Sequence, residues 1–292
     1  MPSKAIIAAI AVLGVWLTAP ASAQQAQLRI VAAQNFYADV AGQVAGPGVP
    51  VTGILNNPGQ DPHSFEPPPS VARALSGAGV VIYNGLDYDP WMVKLVRATR
   101  QPQRQVLVAA DIMGRKPGVN PHLWYDPAVM PAVAKAVAAA LSSADPAHAD
   151  GYAQRLQAVL DALKPVDAKV AALRSRYQGT PVSATEPVFG YMSQALGFVN
   201  RNERFQLSVM NETEPRPSDV AAFEADLRGK RIRLLFHNAQ STGPVAQRLV
   251  RLAQASGIPV VAVTETQPPG TTYQSWMLDT LGAVEAALAA AP

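Results

Sequence analysis

Short apolar runs alternate with stretches of helical spacing twice along this chain, and one sustained helical pattern over residues 149–177 separates the two series. In the first series, apolar runs at 28–33, 49–55, 80–83 and 106–109 are interleaved with helical spacing at 36–44, 70–75 and 91–99. In the second, runs at 181–184, 207–210, 232–236 and 258–263 are interleaved with helical stretches at 188–196, 218–227, 245–255 and 275–290. Strands that alternate with helices in this way predict βα units around parallel sheets. A further helix is predicted over 128–141. The tract 149–177 carries Tyr152, Leu156, Val159, Leu160, Leu163, Val170 and Leu173 at helical spacing and lacks the Gly/Ser content of a flexible linker, so it reads as a connecting element. Pro165 inside it predicts a kink or a break, and Ser70 is the expected N-cap of its helix. The expected fold is α/β: two α/β lobes with parallel sheets, at 24–145 and 179–292, joined by a long rigid helix at 146–178.

Residues 1–23 read as a secretory signal. Lys4 lies in a short leading region, an apolar run covers 5–17, and Ala21-Ser22-Ala23 forms a small-residue cleavage site. The apolar run is shorter than the roughly 20 residues that span a bilayer, so cleavage is expected near Gln24. The chain has no cysteine, which excludes disulfides, thiolate ligands, cysteine nucleophiles and lipid attachment at the signal junction. Export without lipidation suits a periplasmic protein. With 24 basic and 21 acidic residues, a net charge of +3 and no Lys/Arg block, nucleic acid is not an expected partner.

Ligands of parallel α/β sheets bind beyond the carboxyl ends of the strands. Four side chains able to bind metal follow the expected strands there: His63, His122, Glu186 and Glu265. His63 lies in the proline-rich loop NPGQDPHSFEPPP at 57–69, which loses little entropy in holding one shape. His122 follows Pro121 in NPHLW, Glu186 precedes Pro187, and Glu265 follows the run at 258–263. Two imidazoles and two carboxylates suit Mn²⁺, Fe²⁺ or Zn²⁺. Residue by residue, blander readings stand beside this one: a surface histidine in a loop, or a strand-end glutamate acting on a helix dipole. Of the remaining histidines, His148 reads as solvated, and His237 as a supporting residue or one hydrogen-bonded to the loop 238–240, with metal ligation as a further reading. No GxSxG, GxxxxGK[ST] or GxGxxG motif is present. A metallohydrolase using the same residues, and a binding protein for a small organic solute, are the alternatives.

DPHSFEPPPSVARALSGAGVVIYNGLDYDPWM resembles the first metal-ligand segment of the zinc/manganese solute-binding proteins of bacterial ABC importers, the ZnuA-like cluster A-I family. NPHLWYDP resembles its second segment, EPVFGYMSQALGF its third and VTETQPPGTTYQSWM its fourth. The resemblance runs in order along nearly the whole mature chain. It implies a divalent transition metal held in the cleft between the lobes by His63, His122, Glu186 and Glu265. Asp61 or Glu66, flanking His63, is positioned in sequence to orient its imidazole. It implies a non-enzymatic carrier, expected as a monomer, that delivers the ion to an ABC permease in the membrane. Zinc members usually carry histidine at the third position, and glutamate there resembles the manganese and iron members.

Overall fold

The computed structural model describes residues 28–60, 62, 65–241 and 243–290; the expected signal peptide, Asp61 and His63 lie outside the described residues. The first half runs β1 (Ile30–Gln34), α1 (Asn35–Ala45), β2 (Val51–Leu55), α2 (Pro69–Ser76), β3 (Val80–Tyr83), α3 (Pro90–Ala98), β4 (Gln105–Val108), α4 (Ala109–Ile112) and α5 (Val129–Ala144). Helix α6 (Ala149–Tyr177) leads to the second half. There the order is β5 (Pro181–Ala184), α7 (Gly190–Ala195), β6 (Val199–Asn200), α8 (Glu203–Met210), α9 (Pro217–Arg228), β7 (Leu234–Asn238), α10 (Pro244–Ala255), β8 (Val260–Val263) and α11 (Tyr273–Ala290). Each half forms a parallel four-stranded sheet, ordered β2-β1-β3-β4 and β6-β5-β7-β8. The fold is the two-lobed α/β arrangement that the alternation predicts.

The central strands read as continuous apolar runs because both faces of each sheet are covered. In β1, Ile30 and Ala32 enter the main core, while Val31 and Ala33 face a smaller cluster under α2 and α3. In β7, Leu234 and Phe236 enter the same main core, and Leu235 packs with Phe205, Phe223 and Leu249 on the opposite face. The main core is therefore continuous across the two lobes, and separating them would expose apolar surface to water. Helix α6 is part of this junction. It packs on α1, α5 and α11, Arg155 Nε donates to the Val44 carbonyl at 2.8 Å, and Lys169 pairs with Glu285 of α11.

Three local expectations are corrected. Of the kink or break expected at Pro165, the break does not occur: helix α6 runs continuously through that residue. Pro165 lies on the exposed face, between the buried Leu163 and Val166, so the carbonyl left without its N–H partner is on the solvent side. Helix α2 begins at Pro69, not after Ser70: proline fills the first helical position, where its missing N–H costs nothing, and it does the same in α3, α9 and α10. Residues 207–210, expected as a strand, are the end of α8. Phe205 and Val209, four apart, both face the core cluster of that lobe, and a short apolar run does not distinguish strand from buried helix. The edge-strand position is taken by the two residues of β6.

Candidate metal centre

At the carboxyl ends of the strands the two lobes meet, and His122, Glu186 and Glu265 converge there with ligand atoms within 4.8 Å of one another. Glu186 follows β5 in extended conformation and opens a short 3-10 turn at Pro187. Glu265 stands just beyond β8, and His122 precedes the 3-10 turn Leu123–Tyr125. All three are buried. His122 Nε2 lies 3.5 Å from Glu265 Oε2 and 3.9 Å from Glu186 Oε1. His63, the fourth expected residue, is outside the described residues.

The His122 tautomer follows from its neighbours. Asn120 Oδ1 accepts from the His122 backbone N–H at 3.1 Å and sits 2.6 Å from Nδ1. The orientation of that amide is set by its other end, because Asn120 Nδ2 donates to the Pro187 carbonyl at 2.6 Å. Nδ1 therefore carries the proton, and the lone pair of Nε2 faces the carboxylates. Nε2 is fully buried with no hydrogen-bond partner. Gly190 makes room for this arrangement: a Cβ there would come within 2.8 Å of Asn120 Nδ2.

The carboxylates are also held. Asn238, the last residue of β7, directs its Nδ2 to Glu186 Oε2 at 2.8 Å and to Glu265 Oε1 at 2.7 Å. Tyr88 donates to Glu265 Oε2 at 2.9 Å. Burial, with the Glu265 charge beside it, raises the Tyr88 phenol well above its usual range and keeps it a donor. Glu265 N–H donates to Gln240 Oε1 at 2.6 Å. Around the site, Tyr88 and Trp124 pack edge-on against the His122 ring, with centroids 5.9 and 5.3 Å away, and give the cleft an apolar wall.

Tyr88 is presented by a strained turn. Gly85, Leu86 and Asp87 all have positive φ, of 81°, 56° and 60°, and a non-glycine residue in that region costs about 1 kcal/mol or more. The buried Asp89 carboxylate secures the turn by accepting from Asn84 N–H at 2.7 Å, Gly85 N–H at 2.9 Å and Gln34 Nε2 at 2.9 Å. Burial outweighs these donors and pushes the Asp89 carboxyl up to about 6. Asn84 in turn donates to the Pro121 carbonyl at 2.8 Å, next to His122.

An imidazole lone pair and two carboxylates thus come together in a buried place, an arrangement that a divalent cation satisfies. Of the roles expected for His237, the described contact is with Thr185 and not with the loop 238–240. The imidazole is half-buried at 3.3 Å from Thr185 Oγ1, which accepts from the Asn238 N–H, and desolvation lowers its pKa. His148 is exposed and bonded to Asp145, away from the site. Sequence reasoning missed the supporting roles of Asn238, Asn120 and Tyr88. The signals available were the position of Asn238 at a strand end and of Asn120 two residues before a candidate histidine.

The profile of the family described as zinc-uptake complex component A periplasmic, ZnuA, matches residues 30–287. The chain belongs to the ZnuA family. Among its relatives is the manganese ABC transporter substrate-binding lipoprotein PsaA of Streptococcus mitis, 24% identical over 288 residues and matched over 90% of each chain. The iron-binding protein YfeA of Yersinia pestis is 24% identical over 263 residues, covering 85% of this chain and 82% of that one. The periplasmic zinc binding protein TroA of Treponema pallidum has the same fold, with a TM-score of 0.77 at 22% identity over 90% of this chain and 99% of TroA. The ZnuA family is one of substrate-binding proteins that receive metal ions and work with a permease, outside the cytoplasmic membrane.

Proposed function

We propose that this chain captures a divalent transition metal, Mn²⁺, Fe²⁺ or Zn²⁺, in the periplasm and delivers it to the membrane permease of an ABC importer. The observation that carries the reading is the convergence of buried His122, Glu186 and Glu265, each with a ligand atom within 4.8 Å of those of the other two. His63, carried by the proline-rich loop, completes the proposed ligand set. The ion is cargo, so the site needs affinity and a route to release. It does not need the open coordination position that a metallohydrolase keeps for water. On this reading the protein is a monomeric carrier with no enzymatic activity and no nucleic-acid partner, organised as lobes 24–145 and 179–292 about a helix at 146–178. Cleavage after residue 23 leaves it unlipidated: PsaA is named a lipoprotein, but this sequence has no cysteine to accept a lipid.

Thermal unfolding of the metal-stripped mature chain, titrated with Mn²⁺, anaerobic Fe²⁺ and Zn²⁺, tests the reading. A metal that binds only the folded state adds roughly 2.7 kcal/mol of stability at a hundredfold excess over its dissociation constant. A saturable rise in Tm that is lost in the His63→Ala/His122→Ala variant is expected. No rise with any of the three ions overturns the proposal in favour of an organic solute.

A further inference from the structure

Residues 113–121 lead into His122 along a loop that has little cover of its own. Residues 116–119 are exposed, Val119 by 41%. A segment so open to solvent depends on its hydrogen bonds for a fixed position. From the first lobe, Asn84 Nδ2 donates to the Pro121 carbonyl at 2.8 Å. From the second lobe, two groups close to Glu186 in the chain reach Asn120: the Pro187 carbonyl accepts from its side-chain amide at 2.6 Å, and the Tyr191 hydroxyl of α7 donates to its backbone carbonyl at 2.7 Å. The side-chain oxygen of the same asparagine lies 2.6 Å from His122 Nδ1. Asn120 is thus fastened to the second lobe at one end and to the histidine of the first lobe at the other.

The Tyr191 ring is itself held. Arg115, from the same loop, places its guanidinium carbon 5.5 Å from the ring centroid while donating to Asp126 at 3.0 Å. Burial raises the phenol above its usual range in spite of the Arg115 charge, so the hydroxyl stays protonated and remains a donor. We propose that Tyr191 is a positioning residue for the cargo ion: its hydroxyl anchors Asn120, Asn120 orients the His122 imidazole, and the second lobe thereby keeps the histidine of the first lobe on the ion. This rests on the proposed function. Tyr191 acts only through Asn120. Without its hydroxyl the Asn120 backbone is freer to shift, and the acceptor that fixes Nδ1 shifts with it. The His122 ring then turns away more readily, so the effect falls on release of the ion and not on its capture.

The test measures ion release from the full mature protein by stopped-flow chelation, with whichever of Zn²⁺, Mn²⁺ and anaerobic Fe²⁺ the wild type retains, in wild type, Tyr191→Phe, Asn120→Ala and the double variant. Phenylalanine keeps the ring beside Arg115 and removes only the hydroxyl. In Tyr191→Phe, dissociation should speed up about tenfold, the scale on which an orienting partner of a ligand acts, with the association rate unchanged. In the Asn120→Ala background the same change should have little further effect, because the side chain that carries it to His122 is gone. An unchanged dissociation rate in Tyr191→Phe overturns the proposal. Equal acceleration in both backgrounds also overturns it, since a purely structural loosening of the loop would add independently. If the wild type binds none of the three ions, the proposed function fails and this inference with it. Binding by the wild type with no change of rate in Tyr191→Phe refutes this inference alone.

Discussion

The Tyr88 hydroxyl donates to Glu265 Oε2 at 2.9 Å, a buried bond that joins a turn of the first lobe to the strand-end loop of the second. It is one of several such ties. Asn120 reaches Pro187, the Tyr125 hydroxyl reaches Thr264, and Asn35 exchanges two bonds with the Gln267 backbone. The ion would therefore enter a cleft whose walls are already fastened together, which lowers the ordering cost of capture. Tyr88→Phe keeps the ring and removes the bond. Metal affinity should fall by about tenfold, mainly through faster dissociation, as stopped-flow chelation would detect. An unchanged rate would show that the bond does not position Glu265.

Glu186 and Glu265 lie close together, buried, and share a donor in Asn238. Two neighbouring carboxylates repel when both are ionised, and a cation between them reverses that effect. Glu186→Gln should therefore act in opposite directions in two conditions. In chelator the variant should be more stable than the wild type by on the order of 1 kcal/mol, and in saturating metal it should be less stable. Differential scanning calorimetry with and without the ion checks both signs; destabilisation in both would count against electrostatic frustration of the empty cleft.

Asp89 supplies a pH dependence. Its carboxyl is raised by burial from 3.8 to about 6, so between those values the folded state binds more protons than the unfolded one. Stability from this group is present below about pH 4 and is lost as pH rises through about 6, a total on the order of 2 to 3 kcal/mol. Asp89→Asn removes the titration. The stability difference between wild type and variant, followed by urea unfolding from pH 4 to pH 7, should shift against the wild type by that amount as pH rises. A flat difference would mean that the donors around Asp89 cancel its burial.

Pro165 interrupts the hydrogen bonding of α6 on its exposed face and leaves the helix continuous. Replacing it by alanine restores an N–H donor in a helix interior, where proline costs about 3 kcal/mol relative to alanine. The freer unfolded chain returns up to roughly 1 kcal/mol of that. Pro165→Ala should therefore raise unfolding stability by about 2 kcal/mol, read from the denaturant midpoint at unchanged slope. A loss of stability would indicate that the proline shapes the helix for packing on α1 and α11.

The α/β class, the first series of strands, β5, β7 and β8 of the second, and the span of α6 were determined by local sequence, because apolar periodicity reports directly which faces a segment must bury. The helices α2, α3, α9 and α10 begin at prolines one residue before their expected starts at 70, 91, 218 and 245. The candidates His122, Glu186 and Glu265 were legible as side chains that follow strands. What local sequence left undecided depends on partners distant in the chain. Residues 207–210 became helix because Phe205 and Val209 found Phe223 and Leu249. The lone pair of His122 was aimed by Asn120, itself held by Pro187, 67 residues further on. One oxygen of Glu186 and one of Glu265 are held by Asn238, which lies 52 and 27 residues from them. Sequence can mark which residues are able to hold an ion; how their atoms are oriented is decided by hydrogen bonds between residues far apart in the chain, within one lobe for Asn238 and between lobes for Asn120, that exist only in the folded protein.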